Sequence, residues 1–170
     1  MLPDRISRNV LLLALAVLVS ACNLAPVYSG GSRGPAAAAL SQVAIAPIAD
    51  RAGFLVRQAL IDRIGPGPAD PRYRLEVELD DRIVGFGVRG DNSAARERRT
   101  LRARYRLVEA ATNTVVLDAT AESDSGIDRV SSNYAVVAAE TTALERLSID
   151  VARQITARLS LFARTAAKSP

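Results

Sequence analysis

The sequence predicts an α+β domain in which two helices cover one face of a four-stranded, mainly antiparallel sheet. Three observations support this fold class. Apolar and polar residues alternate through the middle of the chain, a helical apolar period precedes that region, and a longer helical period follows it. The predicted element order is β-α-β-β-β-α, and helices arranged in this way pack together on one face of an antiparallel sheet.

The first strand is predicted at residues 43–48. Pro47 cannot donate to a strand ladder, so it marks the end of this strand or a sheet edge. Asp50 is predicted to cap the following helix. Apolar residues then recur at helical spacing until two Gly-Pro pairs at residues 65–68 end the helix.

Three further strands are expected from alternation. Residues 73–80 alternate without interruption, and the apolar set changes parity past Asp81, which predicts a bulge or break near Asp81 and Arg82. Residues 87–95 are predicted to form a loop, and the third strand is predicted at 98–109. The fourth strand begins near Val115, and residues 123–130 are predicted to be a polar connection.

The last element is predicted to be the longest helix, with Ser131 or Ser132 as its cap. Its apolar stripe is interpreted as core, while a partner-facing groove stays open as the alternative. The stripe steps by three and four along the chain through Val137, Thr141, Leu144, Ser148, Val151, Ile155, Leu159 and Phe162.

The N-terminus has the pattern of a lipoprotein signal. Arg5 and Arg8 precede an apolar run at residues 10–19, and Val-Ser-Ala-Cys follows at residues 19–22. The run is about ten residues long, whereas a membrane span needs about 20. We therefore predict a signal peptide at 1–21 and acylation of Cys22; an ordinary secretory signal with an incidental cysteine is the alternative.

The remaining boundaries follow from composition. Residues 22–40 are rich in Gly, Ser, Pro and Ala and are predicted to form an acylated, flexible tether. The folded domain is predicted at 41–165, followed by a disordered tail at 166–170. The 149 residues after position 21 suit one domain with its own core.

Composition argues against an enzyme. The chain contains no histidine and one cysteine, and Lys168 is its only lysine. A Ser-His-Asp arrangement, imidazole or thiolate metal ligation and a disulfide within the chain are therefore excluded. No catalytic residues, metal or cofactor are expected. Nucleic acid is not an expected partner of an exported lipoprotein, so its arginines point to anionic lipid.

Arginines cluster on the predicted third strand and in the loop before it. One interpretation is a surface of cross-strand ion pairs with the acidic residues of the neighbouring strands. The other is that the upper end of the strand outruns its acidic partners and forms a basic end that contacts phosphate groups. The candidate phosphate contacts are Arg89, Arg96, Arg98, Arg99, Arg102 and Arg104.

These features together resemble the outer-membrane lipopolysaccharide-assembly lipoprotein family (LptE-type). Cys22, Pro26 and Tyr28 match the family's segment after the acylated cysteine, whereas Asn23, Leu24 and Val27 depart from it. The first strand with the helix after it, the strand at 73–79, the arginine-rich strand with Tyr105 and the long final helix also resemble the family.

The resemblance implies a non-enzymatic protein, anchored through Cys22 by palmitate-type acyl chains on the periplasmic side of the outer membrane. It also implies two partners, the lipopolysaccharide-assembly β-barrel, which such proteins plug and help to fold, and lipopolysaccharide itself. An auxiliary lipoprotein of a phospholipid-transport system is the alternative from a different functional class.

Overall fold

The structure is a computed structural model that describes residues 35–88 and 94–166. The expectations for Cys22, for Arg89 and for residues 167–170 lie outside the described residues. In chain order the elements are α1 (Pro35–Leu40), β1 (Val43–Ile45), α2 (Asp50–Ile64), β2 (Tyr73–Val88), β3 (Ala94–Glu109), β4 (Thr114–Asp128) and α3 (Asn133–Ala166). The predicted α+β class and the mainly antiparallel sheet are confirmed.

The described strands form one sheet in the order β1-β2-β3-β4. β1 runs parallel to β2, and the other neighbours are antiparallel, so that Tyr105 of β3 lies between Val77 and Ala119. Successive side chains of a strand point to opposite faces. Apart from the irregular β3–β4 pairing at Val108 and Val115, the odd-numbered residues of the sheet therefore face the helices, and the even-numbered residues form an open face.

The core lies between the odd-numbered face and the helices α2 and α3. Leu75, Leu101 and Leu107 of the sheet are fully buried there. Val56 and Leu60 of α2 join them, as do the residues of the α3 stripe: Leu144, Leu147, Val151, Ile155 and Leu159. The interpretation of this stripe as core is confirmed, although Val136 rather than Val137 turns inward in its first turns.

The starts of the two long helices differ. Ser132 caps α3, because its Oγ accepts a hydrogen bond from the N–H of Ala135 at 3.4 Å, as predicted. The prediction that Asp50 caps α2 is wrong. Ala49 precedes the helix without a side-chain cap, and Asp50 is its first residue, with a φ of 65°. The entry is tight, since a Cβ on Gly53 would lie 2.6 Å from the carbonyl oxygen of Ile48.

β1 is shorter than predicted and ends at Ile45. The N–H of Ala46 makes one further bond, to the carbonyl of Leu75 at 3.0 Å. Pro47 then has no N–H to offer, so the parallel ladder stops. The folded domain also begins earlier than predicted. Residues 35–40 are predicted to belong to the tether, but they form the helix α1, and its Leu40 joins the core.

The predicted bulge in β2 is wrong. Asp80 pairs with Arg102 and Arg82 with Thr100 in one unbroken register. The irregularity lies instead between β3 and β4, next to Leu107. β3 begins at Ala94 and β4 continues to Asp128, so residues predicted as loop and connection extend the sheet. Residues 83–88 of β2 and 94–99 of β3 are called the hairpin end below.

The outer edge of β4 is protected at its middle by a side chain of α3. Gln154 accepts a hydrogen bond from the N–H of Glu122 at 3.4 Å and donates one to its carbonyl oxygen at 2.9 Å. The amide thus replaces the peptide group of a neighbouring strand. Such blocking is one way in which proteins prevent edge-to-edge pairing.

Candidate functional site

Five arginines of β3 lie on the open face of the sheet. This arginine ladder consists of Arg96, Arg98, Arg102, Arg104 and Arg106, all at even positions of a central strand. β2 and β4 place carboxylates on both sides of it, because their acidic residues have the same parity. Every member of the ladder is therefore within reach of an opposite charge across the strands.

The ladder is paired along its whole length. Arg104 binds both carboxylate oxygens of Asp118, at 2.9 and 3.4 Å. At the upper end, the nearest nitrogen–oxygen distances are 3.0 Å for Arg96–Asp128, 3.7 Å for Arg98–Asp124 and 3.8 Å for Arg102–Glu122; Arg106 lies 3.5 Å from Glu76 and 3.4 Å from Glu78. The ion-pair interpretation is confirmed for this face.

The expectation that the upper end outruns its acidic partners is wrong. It assumed that residues 123–130 leave the sheet. Instead, β4 continues to Asp128, which pairs directly with Arg96, and Asp124 lies near Arg98. The upper end of β3 is therefore rich in arginine, but nearby aspartates of β4 balance most of its positive charge.

These pairs are exposed and exchangeable. The side chains of Arg96, Arg98 and Arg102 are 59–65% exposed, and exposed ion pairs contribute about 0–1 kcal/mol to stability. The hydrogen bond from Arg104 lowers the pKa of Asp118, and the same bond raises the pKa of Arg104. The pairing keeps both groups charged, but water screens it. A guanidinium here can exchange a carboxylate for a phosphate at little cost.

Arg99 lies on the opposite face and has a different environment. Its side chain is 12% exposed and binds both oxygens of Asp81. Its Nη1 also donates to the backbone carbonyl of Glu140 in α3 at 2.8 Å. The Asp81 hydrogen bond raises the pKa of Arg99 despite its burial. Arg99 therefore joins β2, β3 and α3, and the structure does not bring it together with the exposed ladder.

The open face changes character at the hairpin end. Val84 pairs with Arg98 and Phe86 with Arg96, and both apolar side chains are exposed. The guanidinium of Arg98 lies over the Phe86 ring, 5.6 Å from its centroid. Carboxylates thus flank the arginines on the β4 side and apolar side chains flank them on the β2 side. The shift of apolar parity past Asp81 was the sequence signal for this surface.

On the helix-facing side of the hairpin end, Glu97 is buried. Its Oε1 accepts a hydrogen bond from Arg129 at 2.9 Å, while Oε2 has no partner among the described residues. Arg129 belongs to the segment that leads into α3, so the pair connects the strand to the start of the final helix. This contact stabilises the hairpin end on its helix-facing side.

Neither a metal site nor a membrane-spanning helix finds support in the described part of the chain. No group of three or more metal-ligating side chains occurs in residues 35–88 and 94–166. Within the same residues, no helix combines the length and apolarity that crossing a membrane requires. The arginine ladder with its apolar flank is the feature of the open face that best suits an amphipathic, phosphate-bearing ligand.

The family model for Lipopolysaccharide-assembly (LptE) matches residues 40–159. The chain belongs to the LptE family. This match spans the domain from the end of α1 to the last turns of α3, and the family is non-enzymatic. No curated protein has a sequence that matches the chain.

Solved structures with a similar fold include three bacterial lipoproteins. A Caulobacter crescentus lipoprotein aligns with a TM-score of 0.63 at 23% identity, over 77% of this LptE-family chain and 98% of its own. Lipoprotein B from Nitrosomonas europaea gives 0.57 at 13% identity, over 74% and 86%. Rare lipoprotein B from Shewanella oneidensis gives 0.55 at 10% identity, over 74% and 96%. At these identities the similarity establishes the fold.

Proposed function

We propose that this LptE-family protein is an outer-membrane lipoprotein that partners and plugs the lipopolysaccharide-assembly β-barrel. In that position it assists the transport of lipopolysaccharide and its insertion into the outer membrane. The observation that carries the proposal is the family match over residues 40–159, which includes the whole sheet and most of α3. The similar folds of the bacterial lipoproteins are consistent with it.

The attachment to the membrane is proposed to be covalent lipid on Cys22, after removal of residues 1–21. The apolar run before Cys22 is too short for a membrane span, and the residues around it have the lipoprotein signal pattern. A lipid anchor holds a folded domain at the membrane surface. The domain then lies on the periplasmic side of the outer membrane, where it can reach the barrel.

The contact with lipopolysaccharide is proposed to use the upper part of the arginine ladder. Arg96, Arg98, Arg102 and Arg104 are exposed, and their carboxylate partners are exchangeable. A phosphate accepts charge-assisted bonds from guanidinium, and these strengthen where a barrel lumen excludes water. Val84 and Phe86 add apolar surface beside them. Arg89 is proposed to extend this contact from outside the described residues.

Arg99 is proposed to support the surface rather than to bind phosphate. Its guanidinium is held by Asp81 and by the carbonyl of Glu140. A phosphate would have to replace a largely buried, bidentate partner, which costs far more than replacing an exposed one. Arg99 therefore positions the start of β3 for the neighbouring ladder.

The test is affinity purification of the full-length protein from its native membranes, followed by identification of bound protein and assay of bound lipopolysaccharide. We expect the wild type to recover a large outer-membrane barrel together with lipopolysaccharide. Arg96→Gln, Arg98→Gln and Arg102→Gln combined should recover the barrel with at least about tenfold less lipopolysaccharide, since even one lost charged hydrogen bond is worth about 1.5–3 kcal/mol.

The matched control removes three exposed arginines from α3: Arg146→Gln, Arg153→Gln and Arg158→Gln. It changes the net charge equally and should retain lipopolysaccharide. If both triple variants lost the same amount of bound lipopolysaccharide, the binding would depend on net charge and not on the arginine ladder. Recovery of an inner-membrane transporter in place of the barrel would replace the proposal by the phospholipid-transport alternative.

A further inference from the structure

An apolar cavity lies at the end of the domain opposite the hairpin end. Its volume is about 320 Å³, and it opens between α1, the start of β2 and the last turns of α3. Its walls include Ala39, Leu40, Tyr73, Leu107, Leu159 and Phe162. The rings of Tyr73 and Phe162 meet edge to face, with centroids 6.0 Å apart, which fixes one side of the cavity.

The charged side chain on this cavity is Arg72. Its guanidinium carbon lies 5.2 Å from the centroid of the Tyr73 ring, which directs the cation along the apolar wall. Arg72 also lines a neighbouring cleft together with Asp70 and Glu109, yet among the described residues no carboxylate forms an ion pair with it. Arg72 thus differs from the arginine ladder, whose members are all paired.

We propose that this cavity binds the acyl chain of a single-chain acidic lipid, with the acidic head group on Arg72. Ligand pockets in proteins measure about 300–1,000 Å³ and combine apolar walls with a few polar groups. A volume at the lower limit accommodates one chain rather than several. The guanidinium of Arg72, which has no ion-pair partner among residues 35–88 and 94–166, supplies a charge-assisted bond at the position where the head group would emerge.

The location gives this site a role distinct from that of the ladder. α1 forms one wall, and α1 directly follows the segment that joins the domain to Cys22. If Cys22 carries the anchor proposed above, only the 12 residues 23–34 separate it from α1, so this end of the domain is within reach of the membrane and can hold a lipid as a second, non-covalent attachment. The residues that carry the proposed site all belong to the described part of the chain, and their binding can be tested independently of the barrel and of lipopolysaccharide.

The experiment is photolabelling with laurate that carries a photoreactive group, added to envelope membranes containing the full-length protein. Labelled peptides are mapped by mass spectrometry, and unlabelled laurate competes. We expect saturable labelling within α1 and the last turns of α3. Arg72→Gln should weaken competition at least about tenfold, the equivalent of one lost charged hydrogen bond. Ala39→Phe, which fills the cavity from α1, should abolish the labelling.

The matched control is Arg146→Gln, which removes an exposed arginine elsewhere on α3 and should leave labelling unchanged. Unchanged competition in Arg72→Gln, or labelling confined to the hairpin end, would overturn the proposal. Labelling that appears only in Cys22→Ser would identify the protein's own anchor as the occupant. Displacement of laurate by equimolar lipopolysaccharide would assign the cavity to that ligand. Either of these two results would also overturn the single-chain assignment.

Discussion

Arg99 and Arg104 lie five positions apart on the same strand, and each binds both oxygens of an aspartate. The Arg99 side chain is 12% exposed and its partner Asp81 is 25% exposed, whereas Arg104 and Asp118 are 62% and 41% exposed. Both are bidentate arginine–aspartate pairs, but Arg99 is at an odd position of the strand and Arg104 is at an even one. Odd positions face the helices and even positions face outward, so one pair is a structural contact and the other belongs to an adaptable surface.

The two faces of β3 therefore differ in what they contribute to the fold. The covered face holds the sheet to α2 and α3 through apolar burial and through Arg99. The open face contributes little to stability, because its ion pairs are exposed. A protein built in this way can exchange the partners of its surface arginines while the fold stays unchanged. The predictions below test that separation.

The largest expected effect is on the covered face. Leu144→Ala removes a buried side chain of α3 and should lower the free energy of unfolding by about 2–5 kcal/mol. Leu161→Ala on the exposed side of the same helix is the control and should change it by about 0.5 kcal/mol or less. Denaturant unfolding of the full-length protein measures both. Equal effects would mean that the α3 stripe is not the core.

The second prediction compares neighbouring arginines. Arg99→Gln loses the Asp81 pair and the bond to the Glu140 carbonyl, so it should destabilise the protein by about 1–3 kcal/mol. Asp81 is partly solvated, which keeps the cost below that of a fully buried charge. Arg98→Gln, one position away on the open face, should cost less than about 0.5 kcal/mol. The same unfolding assay applies, and similar losses would contradict the distinction between the two faces.

Sequence alone could predict the element order from β1 onward, the core stripe of α3 and the outward parity of the ladder, because each depends on local periodicity. Arg99 is at an odd position, like Leu101, so its inward orientation was predictable from the sequence. Its hydrogen bond to the carbonyl of Glu140 in α3 was not predictable. The length of β4 was not predictable, since residues 123–126 are polar and join the sheet by pairing with β3. That tertiary pairing decides whether the upper arginines have partners. The helix α1 was not predictable either, because its four alanines show no amphipathic period.

The smallest expected effect is on the open face and depends on pH. Arg104 lowers the pKa of Asp118 in the folded protein. A lowered folded-state pKa means that the pair stabilises the protein above the ordinary aspartate pKa of about 3.9 and that this contribution is lost as the pH falls through the lower, folded value. Arg104→Gln should therefore have a slightly lower melting temperature than wild type at pH 6, and the difference should vanish in strong acid. The measurement is thermal unfolding of both proteins across that pH range. A difference that grows on acidification, or one as large as that of Arg99→Gln at pH 6, would show that the open face contributes to the fold and is not free to exchange its partners.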